Sequence, residues 1–483
     1  MAKKSAKRKQ KKLLNQVCHP NAGGIDIGSR EIMAAVGADK SDDPVRAFST
    51  HNQGLREAVA WLKECGIETV AFEATGNYWV CLYDFLQTAG IAPWLVNARH
   101  VKGVPGRKTD VQDAQWLQQL HTAGLVRRSF VPDQEVLSLR YLQRHRDDLV
   151  RGGGREIQHM QKVFNEMNVQ LHHVISDIDG WSGQRIIKAI IEGERDPETL
   201  ADLRHSSCKT PRGEVILALD GNYRDEYILV LKQCYHRWQQ AHQQITEVDR
   251  QIGQMLSQFE RDEPCDSEKQ DDESEKLGRI YIVKPASEAE DKSEAALPIM
   301  ATRNQSKKRE PVYDIQSEAA RIYGTDLTLI PGVSSGVLSA LLTEIGGRNA
   351  FIKKFKSGHH LASWLGLCPD NRISGNKNLG SKTRKVKSRL AYQLRMGAMT
   401  LWRSESELGQ YSRRMKSKLG KPEGITATAH KMIRIIYKLI ATATTYEDKI
   451  AGNMSESRKQ RRIKGLQKAA ERLGFQLIEA QPV

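Results

Sequence analysis

The sequence predicts a mixed-sheet α/β domain, then a long helical arm, then a second, mainly helical domain. Three observations carry that prediction. Short β-type runs alternate with amphipathic stretches between residues 22 and 131, helical periodicity takes over from residue 132, and an acidic, Ser/Glu-rich tract at 261–313 interrupts the helical half. Each segment has its own physical reason.

Residues 1–21 open with MAKKSAKRKQKKLL, a lysine-rich arm without apolar period. Such a segment stays disordered until it meets phosphate, or serves simply as a solubilising tail. From Ala22 the runs AGGIDIG, REIMAAVGA and VRAFST suit three antiparallel strands. LREAVAWLKECG follows as a helix, ETVAFEA as a strand, YWVCLYDFLQTAG as a helix and APWLVNA as a strand. A meander followed by strands alternating with helices is the ribonuclease-H topology, which should end near Val131.

The region 132–260 reads as helix throughout. Leu231, Trp238, Ile245, Ile252 and Phe259 recur every seven residues, with Cys234, Ala241, Val248 and Met255 between them. That heptad predicts an antiparallel or intermolecular coiled coil, or else a long helix of a globular bundle. The tract 261–313 has too little apolar surface to order itself and reads as a flexible insertion. A second domain, 314–450, begins with LTLIPGVSSGVLSALLTEIG, where a Pro331-Gly332 turn leads into an apolar helix in the manner of a helix-hairpin-helix. In that motif the turn and helix start offer N–H groups to phosphate, although a structural αα-hairpin looks the same. A basic segment, 451–483, closes the chain.

Composition points to a polyanionic partner. The 483 residues hold 74 Lys and Arg against 58 Asp and Glu, a formal charge of +16, which favours nucleic acid through counterion release. No apolar run reaches the ~18 residues of a membrane span and no signal core is visible, so a cytoplasmic protein is expected. The seven cysteines contain no CxxC pair, which argues against a disulfide framework or a zinc knuckle.

Four carboxylates stand out against this frame: Asp26 in GGIDIGSR, Glu73 in VAFEATGNYW, and Asp110 and Asp113 in RKTDVQDAQWL. A carboxylate inside or at the end of an apolar strand is costly unless paired or metal-bound, and the first two are both so placed. Asp110 and Asp113 share a helix face at three-residue spacing, which suits either a common metal centre or a cap and its first-turn acid. Clustered hard oxygen donors are what Mg²⁺ takes. A second element is LGSKTRKVKSR, where Lys377, Lys382, Arg384, Lys385, Lys387 and Arg389 crowd a Gly/Ser/Asn-rich stretch suited to phosphate. Ser374 in RISGN precedes it, and by residue type alone is an ordinary loop serine.

In this order, GIDIGSREIMAAV, FEATGNYW, KTDVQDAQWL, LIPGVSSGVLSALLTEIG and FKSGHHLASWLGLCPDNRISG resemble the DEDD serine transposases of bacterial insertion sequences. The resemblance covers most of the chain outside its tails and the acidic insertion. It implies a RuvC-like amino-terminal domain joined by a coiled coil to a carboxy-terminal transposase domain. It further implies that Asp26, Glu73, Asp110 and Asp113 hold two Mg²⁺ ions and that Ser374 is the nucleophile forming a phosphoserine link to DNA. By the same resemblance the partners are donor and target DNA and a structured non-coding guide RNA, in a nucleoid-associated bacterial dimer or tetramer whose protomers share active sites. The chain departs from compact members in its lysine-rich arm, in the extra length from about Val174 to Tyr313, and in lacking a glycine just before the helix that follows LGSKTRKVKSR. Two other readings compete. One is a metal-only nuclease or Holliday-junction resolvase, in which water attacks; the other is a basic packaging or RNA-binding protein with a vestigial nuclease fold.

Overall fold

The computed structural model describes residues 17–74, 76–97, 110–259, 310–370, 372–374, 377–380, 382–447, 467 and 471, with the backbone alone at 110–112, 372–374 and 377–379. The expectations for the basic arm before residue 17, for 260–309 and for nearly all of 448–483 lie outside the described residues. The chain divides into two compact units, Met1–Val131 and Pro132–Val483.

The first unit is built on a five-stranded mixed sheet in the order β3-β2-β1-β4-β5. Strands β1 (Ala22–Ile27), β2 (Glu31–Ala35) and β3 (Val45–Ser49) form an antiparallel meander, while β4 (Thr69–Glu73) and β5 (Ala92–Val96) join parallel to β1. Helices α1 (Asn52–Glu64) and α2 (Trp79–Thr88) make the crossovers, and α3 (Asp110–Thr122) follows β5. This is the mixed-sheet α/β architecture that the alternating runs predict, and it is consistent with the RuvC-like domain that the resemblance implies. Period-two alternation sends Ile25, Ile27, Ile32, Val70, Phe72 and Leu95 to one face, where Leu55, Leu62, Leu82 and Leu86 of the crossover helices bury them. On the other face Ala71 and Val96 meet Trp116, Leu117 and Leu120 of α3.

Gly24 fixes how closely α3 approaches. A Cβ at that position would lie 2.3 Å from the Gln118 amide nitrogen and 2.5 Å from the Ala114 carbonyl oxygen, so only glycine lets helix and strand backbones touch. At the far end of the helix, the Cys18 and His19 amides donate to the Thr122 carbonyl at 2.7 and 3.0 Å. The helix therefore runs antiparallel to β1.

The second unit is helical apart from a small hairpin. Its spine is α4 (Gln134–Glu166) against α9 (Asp225–Gln258), each about 50 Å long at 1.5 Å per residue. At the end farther from residue 134, four shorter helices complete a separate apolar cluster: α5 (Leu171–Val174), α6 (Trp181–Glu192), α7 (Pro197–Asp202) and α8 (Arg212–Leu219). At the other end Leu139, Val248, Ile252 and Leu256 enter one continuous core with the carboxy-terminal helices. These are α10 (Ile315–Tyr323), α11 (Ser335–Glu344), α12 (Arg348–Lys354), α13 (Gly358–Trp364), α14 (Arg389–Thr400), α15 (Glu407–Leu419) and α16 (Lys421–Thr442). The hairpin β6 (Arg372–Ser374) and β7 (Lys377–Gly380) stands between α13 and α14. Arm and carboxy-terminal helices thus share a core instead of forming separate bodies.

The heptad of α9 is filled by α4 of the same chain. Arg146 pairs with Asp249, Gly153 lies beside Ala241 and His242, and Arg237 reaches Glu156, a register that descends on one helix as it climbs on the other. Leu231, Cys234, Trp238, Ala241, Val248 and Ile252 are buried in this way. Of the alternatives left by the sequence, the seam is the intramolecular antiparallel pair; an oligomer built on it would have to displace α4. Pro331 and Gly332 make the expected turn before α11, with Gly332 at φ +86°. That turn abuts α14, since a Cβ on Gly397 would come within 2.1 Å of the Gly332 carbonyl oxygen.

Candidate active site

Asp26 and Glu73 are neighbours by register. The parallel ladder of β1 and β4 pairs Gly24 with Ala71 and Ile25 with Phe72. One step further sets Asp26 beside Glu73, at an inter-strand spacing of about 4.8 Å. Both carboxylates are half-buried, and each stands two residues on from a residue of the α3 face, Gly24 or Ala71, and so shares that face. They therefore occupy the carboxyl end of two central parallel strands, where open α/β sheets keep their crevice.

The antiparallel course of α3 brings its amino end to the same place. Ala114 lies over Gly24. From that level, Asp26 is about 6.6 Å further along the strand, and position 110 is about 6 Å further along the helix. The first turn of α3 thus overhangs Asp26. Asp113 is exposed in that turn, on the row that continues into buried Leu117 and Leu120. The Asp110 side chain lies outside the described residues; its backbone opens the helix. The positive end of the α3 dipole is directed at this cluster of carboxylates, favouring anions there.

Donor chemistry fits a hard divalent cation. Paired strand-end carboxylates with a third in the overhanging turn are oxygen donors of the kind Mg²⁺ takes, with room left for water or phosphate oxygens. Among the described residues, the group of three whose donor atoms all lie within 4.8 Å of one another is elsewhere: Glu156, His159 and Cys234. Sequence reasoning did not single out that group, since its members lie on two helices far apart in the chain. A cation already serves it. Arg237 Nε donates to Glu156 Oε2 at 3.0 Å, and its Nη2 stands 2.9 Å from the same oxygen and donates to Cys234 Sγ at 3.3 Å. Burial pushes the Glu156 carboxyl up, but the bond to Arg237, its charge and His159 more than offset this and hold it below the usual range. We read the group as a brace between α4 and α9.

Behind the carboxylates, α3 is anchored by His121, which is fully buried. Thr69 Oγ1 donates to the Ala92 carbonyl at 3.1 Å and stands 3.0 Å from His121 Nε2, which assigns the ring proton to Nε2. Nδ1 is buried without a hydrogen-bond partner among the described residues. Burial, aided by His19, holds the imidazole down at about 4 and therefore neutral.

Ser374 belongs to the second unit, at the end of β6, paired with Lys377 of β7 in the ladder. The side chains of Ser374 and Lys377 lie outside the described residues. Lys382, Arg384, Lys385 and Lys387 are exposed on the irregular segment that follows, which is bridged to Pro369 at Thr383. Two of the six cations also hold structure. Arg384 donates to the Ser363 carbonyl, and Arg389 is paired with Asp147 of α4.

With this geometry in place, comparison with protein families gives two matches. The transposase model DEDD_Tnp_IS110 matches residues 23–169, from β1 to just past the end of α4. The model of the transposase IS116/IS110/IS902 family matches residues 325–413, from the turn before α11 into α15. Between them, 170–324 is matched by neither. A comparison with curated proteins gives no match.

Proposed function

The chain belongs to the IS110-type transposases, enzymes that act on DNA, and from that premise we propose that it excises and inserts an element by a serine-based strand exchange. The observation that carries the reading is the register that places Asp26 beside Glu73 under the first turn of α3.

In this reading Ser374 Oγ attacks a DNA phosphorus. The Oγ–P bond forms as the bond from phosphorus to the 3′ oxygen breaks, and the released 3′-hydroxyl takes up the proton. The phosphoserine ester conserves the bond energy, so a second 3′-hydroxyl rejoins the strand by the reverse step without ATP. Asp26, Glu73, Asp110 and Asp113 would hold two Mg²⁺ ions, which when bound supply charge neutralisation at the pentavalent phosphate and at the leaving oxygen. The chain's own part is positional. The sheet fixes Asp26 and Glu73, the Gly24 contact fixes the α3 turn, and the α3 dipole adds partial positive charge toward a phosphate. Lys382, Lys385 and Lys387 hold backbone phosphates near the hairpin that carries Ser374.

The resemblance extends the proposal to a structured RNA that directs the enzyme to donor and target DNA, and to assembly of more than one protomer through surfaces other than the α9 seam. Cleavage of plasmids carrying the element ends, with wild type, Ser374→Ala and Asp26→Asn, tests the core of it. Both variants should lose strand exchange, and Ser374→Ala should also lose every covalent protein–DNA adduct. Cutting by Ser374→Ala at the wild-type rate would replace the proposal with hydrolysis by a metal-only nuclease.

A further inference from the structure

The second unit carries an open groove of about 850 Å³ between α4, the length of α11, the start of α14 and the segment at Pro311 and Tyr313. Five cations line it, Arg144, Arg146, Arg151, Lys387 and Arg389, against two carboxylates, Asp147 and Glu344. Four of the five are paired: Arg144 stands 3.5 Å from Glu344, Arg146 is held by buried Asp249, Arg389 by Asp147, and Arg151 by exposed Asp148. The Arg151–Asp148 pair is exposed on both sides, and such pairs are weak and exchange readily for phosphate, whereas Arg146 is committed to the fold. One wall is the start of α11, whose cap residue Ser334 makes no side-chain capping bond and whose first turn has no acid. Helix start and cations agree in sign.

A second feature adjoins the groove. Tyr392 and Met396 line it, Met399 follows on the same face of α14, and Trp402 comes next in the 3-10 turn Leu401–Arg403 that continues the helix, all four exposed, Tyr392 at 59% and Trp402 at 52%. The spacing of four, three and three residues keeps them in one stripe, about 15 Å long at 1.5 Å per residue. Exposed large apolar side chains are common singly; four in line, flanked by Arg395 and by Arg403 stacked 4.7 Å over the Trp402 ring, form a surface. Cations beside flat aromatic faces are what unpaired nucleotides require, because every base has a face to stack and every phosphate a charge to place.

We infer that the groove and the α14 stripe form a track for an unpaired nucleic-acid strand, with phosphates over Arg151 and Lys387 and bases stacked on Tyr392 and Trp402. The inference rests on the nucleic-acid reading above for its class of partner and adds the strandedness, the residues and the path. A duplex keeps its bases stacked inside and has no use for the aromatic stripe.

The test is fluorescence anisotropy with the full-length chain, in chelator, using a labelled oligothymidylate of about 20 nucleotides and a duplex of the same length. Tyr392→Ala with Trp402→Ala should weaken oligothymidylate binding by about 5- to 150-fold for each stacked base. Duplex affinity and the salt slope should stay as in wild type, and Tyr392→Phe with Trp402→Phe should restore binding. Arg151→Ala with Lys387→Ala should instead lower the salt slope, by about 0.7 for each phosphate lost from a single strand. Unchanged oligothymidylate affinity in the alanine double variant, or equal loss for strand and duplex, overturns the inference. So does conversion of a dimer to a monomer in light scattering, which would give the stripe to a second copy. Failure here with intact plasmid cleavage leaves the proposed function standing; strand binding that behaves as expected while Ser374→Ala still cuts sinks that proposal alone.

Discussion

Gly24→Ala is the substitution in which packing and catalysis are most directly joined. The added methyl would sit 2.3 Å from the Gln118 nitrogen, 2.5 Å from the Ala114 oxygen and 2.9 Å from the Gln118 Cα, where ordinary contact begins at 3.4 Å. All three atoms are backbone, so no side chain can swing aside. Helix α3 must lift by about 1 Å, at an overpacking cost of about 1–3 kcal/mol. That lift moves the turn bearing Asp110 and Asp113 away from Asp26 and Glu73, and a misplacement of about 1 Å in a catalytic constellation is worth about 10²-fold in rate. Gly23→Ala is the control, because its methyl would meet Val70 Cγ2 at 3.3 Å and the Ala35 oxygen at 3.4 Å, contacts that small shifts relieve. Metal-dependent plasmid cleavage and thermal unfolding measured on both variants separate the effects. Gly24→Ala should remain folded with a lowered midpoint and lose about two orders of magnitude in cleavage, and Gly23→Ala should lose little of either. Wild-type cleavage by Gly24→Ala, or equal damage from Gly23→Ala, would refute the placement of α3 over the carboxylates.

Three further outcomes are expected. His121 has its folded value near 4 against an ordinary 6.5, so the unfolded chain gains a proton first as pH falls; stability is complete above 6.5 and declines between 6.5 and about 4, by up to about 3 kcal/mol. Urea midpoints of the full chain across that window should show the decline, and His121→Leu should flatten it. Arg146 and Asp249 form a buried pair, 8% and 1% exposed, with the Val312 amide donating to Asp249 at 3.0 Å. Arg146→Met strands the carboxylate and should cost about 3–5 kcal/mol in denaturant unfolding, while Arg146→Met with Asp249→Leu should recover most of it; equal destabilisation by single and double variants would contradict a paired role. Neutralising Lys385 and Lys387 should weaken DNA binding uniformly across sequences and lower the salt slope, and a sequence-selective loss at constant slope would show that they read bases.

Much of the first unit is legible in the chain because period and register are local. The run GGIDIG alternates, so Ile25 and Ile27 go to one face and Gly24 and Asp26 to the other; ETVAFE alternates in phase, sending Glu73 to the Asp26 side. What alternation cannot state is which strand lies next to which. The pairing of β1 with β4 is made by the crossover through α1, and the start of α3 reaches Asp26 because the helix runs back along β1. Gly24 is visible in the sequence only as one of two adjacent glycines; its purpose appears when Ala114 lies on top of it.

The second unit shows where a sound pattern leaves its partner undetermined. A heptad states that one helix face must be covered and is silent on the cover. The longest helix between α4 and α9 is α6, with 12 residues. The nearest face of sufficient length is therefore α4, which α9 meets antiparallel after the small helices turn the chain back. Covalent proximity gives α4 a high effective concentration that a second copy must exceed. The stripe along α14 and the turn after it is illegible in the sequence for the opposite reason. Tyr392, Met396, Met399 and Trp402 have the spacing of a buried face, and that face is the one the carboxy-terminal core leaves open, because Leu390, Leu394, Ala398 and Leu401 on the other side already fill it. Among the described residues nothing covers that apolar face beside the cationic groove, and on the inference drawn above a strand of stacked bases is the ligand whose chemistry matches both halves.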